Sequence, residues 1–415
     1  MGAPTGGEKA SFGAAITGLG LVTPAGIGVK ENWDRVTSGR SCATADEPLG
    51  GLPAGVTCRV PGFDADALLG GFSAWGFDRF AQLAIVASRQ ALADAGWDPA
   101  RWDGTRVGVV LGNSLGGMQS LERQHTALLE RGPRKVSPLT IPMFMVNMVA
   151  GHVAIDIGAK GPSEVSAAAC AAGGTAVGTA RALLRSGVCD VVVAGGTESA
   201  LTPLVLAALG KMGALSGRTD EPGRASRPFD AGRDGFVAAE GAGVLVLERT
   251  ADARARGARV HAVVRGYGSA SDAHHPTAPD PSGQGIERAL RAALADAGLG
   301  PSDVDHVNAH GTATVLNDAA EGRMLRRVLG DRPLVTSTKG VIGHTLGACG
   351  AIEAAYTALA VAHHCVPPTA NLTRLDPEVE IDVVGGAPRS APIDVAVSTS
   401  MGFGGHNAAL VLTAS

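Results

Sequence analysis

Charged, aromatic and lysine side chains are all scarce in this 415-residue chain. Only 18% of the residues are charged and the formal net charge is −4, which excludes disorder driven by charge and offers no basic surface for nucleic acid. The chain has 29 arginines but only 6 lysines. A lysine inside a polar motif is therefore a more informative signal here than in an average protein.

Cysteine is also sparse, and no two cysteines form a C-x-x-C pair. The six cysteines are Cys42, Cys58, Cys170, Cys189, Cys349 and Cys365. This spacing excludes a disulfide scaffold and argues against a structural zinc site. We therefore expect a reduced, cytoplasmic protein that binds neither a metal nor a cofactor of its own.

The first residues lack the apolar core of a signal peptide. One internal segment, 136–155, is uncharged and long enough to span a bilayer, but it contains Pro138, Pro142 and Asn147. We predict that this segment is buried or lies at a subunit interface, and that the protein does not contact a membrane.

Glycine, in contrast, is abundant, and the sequence contains an internal repeat. The string ALADAG occurs at Ala91–Gly96 and again at Ala293–Gly298, about half the chain apart. Each copy ends an amphipathic run and is followed by a polar loop and a short strand-like run, RVGVVLGNS or VDHVNAHGT. We predict two related α/β halves with mixed sheets, residues 12–254 and 255–412.

Cys170 lies where a short extended run of small residues precedes a helical run. A sulfur at a helix N-terminus is exposed to unpaired amide N–H groups and to the helix dipole, which favour thiolate over thiol. The residues alone leave two alternatives open, a nucleophile or a buried inert cysteine.

Two histidines lie in glycine-flanked loops. His310 ends the strand-like run of the second half in AHGTAT, and His344 follows the rare Lys339 in KGVIGHT. The carboxyl edge of an α/β sheet is where ligands bind. The adjacent His274 and His275 indicate a metal site only weakly, because no further ligands follow at suitable spacing.

A different enzyme class is suggested by Gly112–Gly116, which fits the G-x-S-x-G pattern of serine hydrolases with Ser114 as nucleophile. No acid and histidine pair follows at an obvious position. We prefer to interpret this motif as a glycine turn of the first half, equivalent to the His310 loop.

Taken in order over residues 12–412, several motifs resemble those of β-ketoacyl-acyl-carrier-protein synthases of the condensing-enzyme II type. These are GPRKVSPLTIPMFMVNMVAG, Cys170 with its small neighbours, FDAGRDGFVAAEGAG, AHGTAT, KGVIGHTLGACGAIEA and MGFGGHN. The resemblance implies the thiolase fold, in which two duplicated α/β halves form a five-layered α-β-α-β-α arrangement. It also implies a dimer.

The resemblance implies an acyltransferase that performs a decarboxylative Claisen condensation. Cys170 would carry the acyl group, and malonyl-acyl carrier protein would supply the extender carbons, giving β-ketoacyl-acyl carrier protein. His310 and His344 would stabilise the enolate, and Lys339 paired with Glu353 would set the charge of the site. The substrates would be carried on the phosphopantetheine of the carrier protein.

Further residues are implied by the same resemblance. The backbone amides of Cys170 and Phe403 would form an oxyanion hole. The residues expected to bind substrate are Leu115, Leu209, Thr312, Thr314, Met401 and Phe403. Leu209 departs from the aromatic residue common at its position, which leaves acyl chain length open.

The segment 65–80, where the family often has basic residues that dock the acidic carrier protein, contains Phe72, Trp75 and Phe77 and a single basic residue, Arg79. We therefore expect docking through Arg134 and Lys135 or through a partner subunit.

The dimer is either a homodimer or a heterodimer with a chain-length-factor-like subunit. The alternative interpretation is that this chain is itself a non-catalytic chain-length factor. Such proteins lack the nucleophilic cysteine, which this chain has at Cys170. Fatty acid synthesis and polyketide or polyene assembly both remain open.

Overall fold

The computed structural model describes residues 12–49, 51, 55–70 and 74–415. Within these residues the strands are β1 (Ala14–Thr23), β2 (Gly26–Ile27), β3 (Thr44–Ala45), β4 (Val56–Cys58), β5 (Val107–Gly112), β6 (Ser163–Ser166), β7 (Val191–Glu198), β8 (Ala238–Ala239), β9 (Gly241–Arg249), β10 (Ala262–Ser271), β11 (His306–Asn308), β12 (Leu334–Thr336), β13 (Cys365–Val366), β14 (Asp382–Val383), β15 (Arg389–Ser390), β16 (Val395–Gly402) and β17 (His406–Thr413). The helices are α1 (Val29–Thr37), α2 (Ala65–Leu69), α3 (Arg79–Ala95), α4 (Met118–Arg131), α5 (Thr140–Phe144), α6 (Met148–Ile157), α7 (Ala172–Arg185), α8 (Pro203–Lys211), α9 (Thr250–Ala255), α10 (Gln284–Ala297), α11 (Val315–Leu329), α12 (Lys339–Ile342) and α13 (Cys349–His363).

The two halves of the chain repeat one sheet topology. The first half orders its strands β6-β5-β7-β9-β1, and the second orders them β12-β11-β16-β17-β10, with β14 added at the edge. In each sheet the first three strands are parallel and the next two steps are antiparallel. The sheets join where β1 pairs with β10. Identical order and direction support the duplication expected from the ALADAG repeat.

Helices cover both faces of each sheet. Helices α3 and α6 pack on the outer face of the first sheet, and α10 and α11 pack on the outer face of the second. Helices α7 and α13 lie between the sheets, with their apolar side chains in one shared core. The layers are therefore α-β-α-β-α, which confirms the expected thiolase fold.

The repeated ALADAG helices pack unusually close to their strands. A Cβ atom added to Gly18 of β1 would lie 2.1 Å from the carbonyl oxygen of Ala91, and one added to Gly266 of β10 would lie 2.1 Å from that of Ala293. Only glycine permits this approach of helix to strand. The repeat therefore reflects one packing solution used twice.

The two central helices also meet through glycine. A Cβ atom on Gly173 of α7 would lie 2.6 Å from the Ala351 nitrogen of α13, and one on Gly350 would lie 2.6 Å from the Gly174 nitrogen. The N-terminal turns of the two helices are therefore in contact. The residues that precede each helix, one from each half of the chain, are consequently brought together.

The segment 136–155 does not form one membrane-spanning helix. It is divided between α5 and α6, and α6 buries Val149 and Val153 against the first half. Helical residues Leu346–His363 are long and apolar enough to cross a membrane, but 83% of that window is buried inside the protein. They belong to the central layer.

The aromatic residues Trp75 and Phe77 lie in different environments. Trp75 is 71% exposed, whereas Phe77 packs edge-on against His152 with ring centroids 4.7 Å apart. Phe72 lies outside the described residues. Arg79 forms an ion pair of 2.7 Å with the buried Glu240, so this arginine is engaged within the fold.

Candidate active site

Cys170 lies in a tight turn between β6 and α7. The turn contains Ala169, whose φ of 48° is in the left-handed region that a residue with a Cβ atom rarely adopts. The Ser114 hydroxyl donates to the Ala169 carbonyl oxygen at 2.9 Å and so stabilises this conformation. The strained turn directs a cysteine that is only 7% exposed toward a cavity.

Two histidines from the second half face this sulfur. His344 Nε2 lies 3.2 Å from Cys170 Sγ. The His310 ring stands edge-on to the His344 ring, with centroids 5.4 Å apart and an interplanar angle of 82°. The structure therefore brings together the three residues singled out in the sequence.

The ionisation of these residues differs from the expectation drawn from helix position. Burial raises the pKa of the Cys170 thiol to about 12, although the Lys339 charge opposes this rise. Burial, together with Lys339, lowers the pKa of both His310 and His344 well below the usual value. Burial therefore outweighs the preference for thiolate that the helix terminus gives by itself. At neutral pH Cys170 is therefore a thiol, and the neutral His344 ring accepts its hydrogen bond through Nε2 when the ring proton lies on Nδ1.

Lys339 and Glu353 form a buried ion pair behind the histidines. Burial, the largest influence, lowers the pKa of Lys339, but the interactions with Glu353, Cys349 and Glu321 together leave that pKa above the usual value. Lys339 is thus a fixed cation, and it contributes to the lowered pKa of both imidazoles. The structure places the pair where the resemblance implied.

Glu321 is a site residue that the sequence did not reveal. Its two carboxylate oxygens accept the backbone N–H groups of His310 and Gly311, each at 2.8 Å. The Thr399 hydroxyl also donates to Glu321, at 2.7 Å. The strand tip that carries His310 is therefore held by a buried acid. Glu321 lies in α11, and a glutamate in a helix ordinarily indicates a solvent-exposed position.

A single cavity of about 670 Å³ connects the three residues to the surface. All six residues expected to bind substrate line it: Leu115, Leu209, Thr312, Thr314, Met401 and Phe403. Four exposed apolar side chains that the sequence analysis did not identify also line it: Leu204, Met212, Val315 and Leu316. The cavity therefore has an apolar rim.

Two backbone amides lie close to the sulfur. The Phe403 N–H donates toward Cys170 Sγ and favours its thiolate. A Cβ atom on Gly402 would lie 3.1 Å from the Cys170 nitrogen, so glycine allows the two segments to approach. The Phe403 side chain is 37% exposed and lies at the mouth of the cavity.

Donor atoms in the site are spaced closely enough to suggest a metal. Within the described residues, Cys170, His310 and His344 have ligand atoms within 4.8 Å of one another. The Lys339 ammonium beside both imidazoles opposes a divalent cation. The pair at His274 and His275 joins no such group in the part of the chain that the structure describes.

Ser114 lacks the geometry of a hydrolase nucleophile. Its hydroxyl donates to a backbone carbonyl, and its backbone N–H donates to Glu198 at 2.9 Å. Among the described residues no imidazole forms a hydrogen bond with Ser114. The motif Gly112–Gly116 is the tip of β5, which has the same place in the first sheet as β11 has in the second.

The expected docking residues lie apart from the cavity. Arg134 and Lys135 are exposed in the turn Pro133–Lys135 between α4 and α5. Neither forms an ion pair within the described chain, and neither lines the cavity. Their charge is therefore presented to solvent.

Known proteins are similar to this chain over most of its length. The family model "Beta-ketoacyl synthase, N-terminal domain" matches residues 13–253, and "Beta-ketoacyl synthase, C-terminal domain" matches residues 261–373. A 3-oxoacyl-[acyl-carrier-protein] synthase 2 from Synechocystis sp. is 44% identical over 95% of this chain and 96% of its own length. The protein of that name from Staphylococcus aureus is 41% identical over 95% of this chain and 97% of its own length.

Solved structures give the same result. The ishigamide ketosynthase/chain length factor superposes with a TM-score of 0.92 at 32% identity and covers 98% of this chain and 100% of its own. A type II PKS acyl-carrier protein in complex with its ketosynthase bound to the hexaketide gives a TM-score of 0.88 at 31% identity, with coverages of 98% and 100%. The chain, with its duplicated fold and its cysteine and two histidines at one cavity, belongs to the β-ketoacyl synthase family.

Proposed function

We propose that this protein is an acyltransferase that condenses an acyl group held on Cys170 with malonyl-acyl carrier protein, giving β-ketoacyl-acyl carrier protein. The observation that carries the proposal is the 3.2 Å contact between His344 Nε2 and Cys170 Sγ at the base of an open apolar cavity. His310 lies beside them. These groups are sufficient for thioester exchange and for enolate stabilisation.

The first step is acyl transfer to Cys170. The thiol proton moves to His344, and the sulfur attacks the thioester carbonyl of the incoming acyl group. The bond to the pantetheine sulfur breaks, and that sulfur leaves as a thiol after taking the proton. The developing oxyanion accepts hydrogen bonds from the backbone N–H groups of Cys170 and Phe403.

The second step is decarboxylation of the malonyl thioester. The bond between the carboxylate carbon and Cα breaks, CO2 leaves, and the electron pair forms an enolate whose charge rests on the thioester oxygen. His310 and His344 donate N–H groups to that oxygen. A neutral ring has one such proton, so in this step the His344 proton must lie on Nε2 rather than on Nδ1, where it lies while Nε2 accepts the thiol proton. The enolate carbon then attacks the acyl carbonyl on Cys170 and releases the thiolate.

Lys339 and Glu353 act on this chemistry through charge. The Lys339 ammonium favours both the Cys170 thiolate and the neutral state of the two histidines. Glu353 fixes the position of the ammonium. Neither group needs to touch the substrate for this role.

Substrate binding divides between polar and apolar surfaces. The hydroxyls of Thr312 and Thr314 lie 2.9 Å apart and are the polar groups that the carrier's arm would meet in the cavity. Leu115, Leu209 and Met401 would surround the acyl chain. The substrates arrive on phosphopantetheine, so the chain itself requires no cofactor.

The partners we propose are an acyl carrier protein and a second subunit. Arg134 and Lys135 supply exposed positive charge for an acidic carrier. The second subunit, another copy or a chain-length-factor-like protein, would cover exposed apolar residues of α4–α6 such as Leu129, Ile141 and Ile155. All six cysteines are unpaired, as expected of a reducing cytoplasm.

The function is tested with purified protein, an acyl carrier substrate and malonyl carrier protein. We expect β-ketoacyl carrier protein by mass spectrometry, and no product from Cys170→Ala. Cys189→Ala removes another buried thiol, one that does not line the cavity, and serves as the matched control. Condensation by Cys170→Ala at the rate of the control would refute the proposal. The acyl species left on Cys170 in protein from its producer would distinguish a fatty acid from a polyketide pathway.

A further inference from the structure

A second buried carboxylate, Glu198 at the end of β7, holds the other side of the site. It accepts the backbone N–H groups of Ser114 at 2.9 Å and Gly347 at 3.3 Å, and also that of Leu115. The side-chain amide of Asn113 donates to it at 3.0 Å. Glu198 is completely buried, and in the described structure all of these donors are neutral.

These donors belong to segments that carry the proposed chemistry. Ser114 donates its hydroxyl to the carbonyl of Ala169, the strained residue that precedes Cys170. Leu115 lines the cavity. Gly347 connects the loop of His344 to α13. One carboxylate therefore joins the nucleophile turn, the wall of the acyl cavity and the histidine loop.

Glu198 and Glu321 perform corresponding tasks in the two halves. Each accepts two consecutive backbone N–H groups from the tip of a central strand, Ser114 and Leu115 for Glu198 and the His310 segment for Glu321. They come from different elements, since Glu198 ends a strand and Glu321 lies in a helix. The contacts of Glu321 are confined to the His310 side, whereas those of Glu198 reach the Cys170 side.

We propose that Glu198 is a positioning residue for acyl transfer, which fixes the turn of Cys170 and the wall formed by Leu115, and thereby sets the acylation rate and the discrimination between acyl chain lengths. This inference rests on the proposed function. A carboxylate suits the task because its two oxygens can accept several N–H groups at once. Burial raises the pKa of Glu198 to about 7, so the ionised form that accepts all of them predominates above that pH. The backbone N–H groups that donate to Glu198 therefore have an acceptor within the protein and do not depend on the substrate for one.

The test is Glu198→Gln, which preserves shape but replaces one accepting oxygen by an NH2 group that cannot accept. At least one buried N–H then loses its partner. We expect acylation of Cys170 to slow by about tenfold, and the ratio of kcat/KM between a long and a short acyl carrier substrate to change by at least about threefold. Malonyl decarboxylation should fall much less, because the bond to Gly347 is the longest of the set.

We expect Glu321→Gln to have the opposite effect and to reduce decarboxylation more than acylation. A third variant, Glu248→Gln, alters a carboxylate that is also buried but pairs with Arg256 away from the cavity. This variant should change neither the ratio of the acylation rate to the decarboxylation rate nor the ratio of kcat/KM between long and short acyl substrates, even if it lowers stability. A purely structural role for Glu198 would reduce both reactions equally and leave chain-length discrimination intact.

Equal reduction of both reactions by Glu198→Gln, or no effect on either, would overturn the inference. That result leaves the proposed function standing as long as Cys170→Ala abolishes condensation. Loss of the proposed function would instead appear as condensation that does not depend on Cys170. The two failures are therefore distinguishable in the same set of assays.

Discussion

His344 Nε2 lies 3.2 Å from Cys170 Sγ, although the two residues are 174 positions apart in the chain. The contact exists because α7 and α13 meet through glycines and bring the preceding residues of both halves together. It places a neutral base beside a thiol whose burial disfavours charge. The resting state of the site is therefore a neutral pair, and ionisation accompanies the reaction.

The first prediction concerns the pH dependence of Cys170 alkylation. Burial raises the pKa of this thiol to about 12, so the thiolate fraction should rise throughout the range from neutral to pH 10. Only the thiolate reacts, and the rate with iodoacetamide should therefore increase by about tenfold per pH unit. Peptide mapping at several pH values measures this rate. A plateau near pH 7 would show instead that the helix terminus governs the thiol.

The second prediction separates the two histidines. His310→Ala should reduce malonyl decarboxylation by about 10²–10³-fold, since one donor to the enolate oxygen is lost. It should leave acylation of Cys170 largely intact, because His310 does not contact the sulfur. His344→Ala should reduce both steps, since His344 also accepts the thiol proton. Single-turnover assays with acyl and malonyl carrier substrates measure each step, and wild-type decarboxylation by His310→Ala would contradict the enolate role.

The third prediction concerns the charge of the imidazoles. Burial and Lys339 lower the pKa of His310 and His344 well below 6.5. A base with a lowered pKa stays neutral until the pH falls below that value, so neither ring should protonate between pH 8 and about 6. Histidine ring resonances in NMR spectra, assigned with the two alanine variants, measure this directly. A titration midpoint near 6.5 for either ring would contradict the prediction.

The fourth prediction tests carrier docking. Reversal of Arg134 and Lys135 to glutamate should raise KM for carrier-bound substrate at low ionic strength, because the docking charge is lost. A small thioester mimic should react as before, since it needs no docking surface. Reversal of Arg101 and Lys160, exposed residues near the amino ends of β5 and β6, is the matched control. An equal change in KM for both pairs would contradict specific docking.

The fifth prediction tests the packing of the repeat. Gly18→Ala and Gly266→Ala each place a Cβ atom 2.1 Å from a helix carbonyl oxygen, so both should destabilise the fold by about 1–3 kcal/mol or more. Gly223→Ala has no atom within 4 Å of its new Cβ and should change stability by less than about 0.5 kcal/mol. Urea unfolding measures the three values. Similar stability for all three variants would show that helix and strand can separate without penalty.

Local sequence patterns were sufficient to identify the duplicated α/β architecture and the principal catalytic candidates. The ALADAG helices became α3 and α10, and the helical run expected after Cys170 became α7, because apolar periodicity and a terminal glycine act over a few residues. Cys170 and His310 were recognisable because each lies beside small residues at the end of a strand, and His344 because it lies in a glycine-flanked loop after the rare Lys339.

Tertiary structure alone decided the environment of those residues. Helix position favoured a thiolate at Cys170, but the second half of the chain covers the sulfur and raises its pKa to about 12. Glu198 and Glu321 carried no local signal, because a carboxylate becomes an anchor only when distant backbone amides meet it in the core. Element identity depends on neighbours in sequence, whereas burial and ionisation depend on neighbours in space.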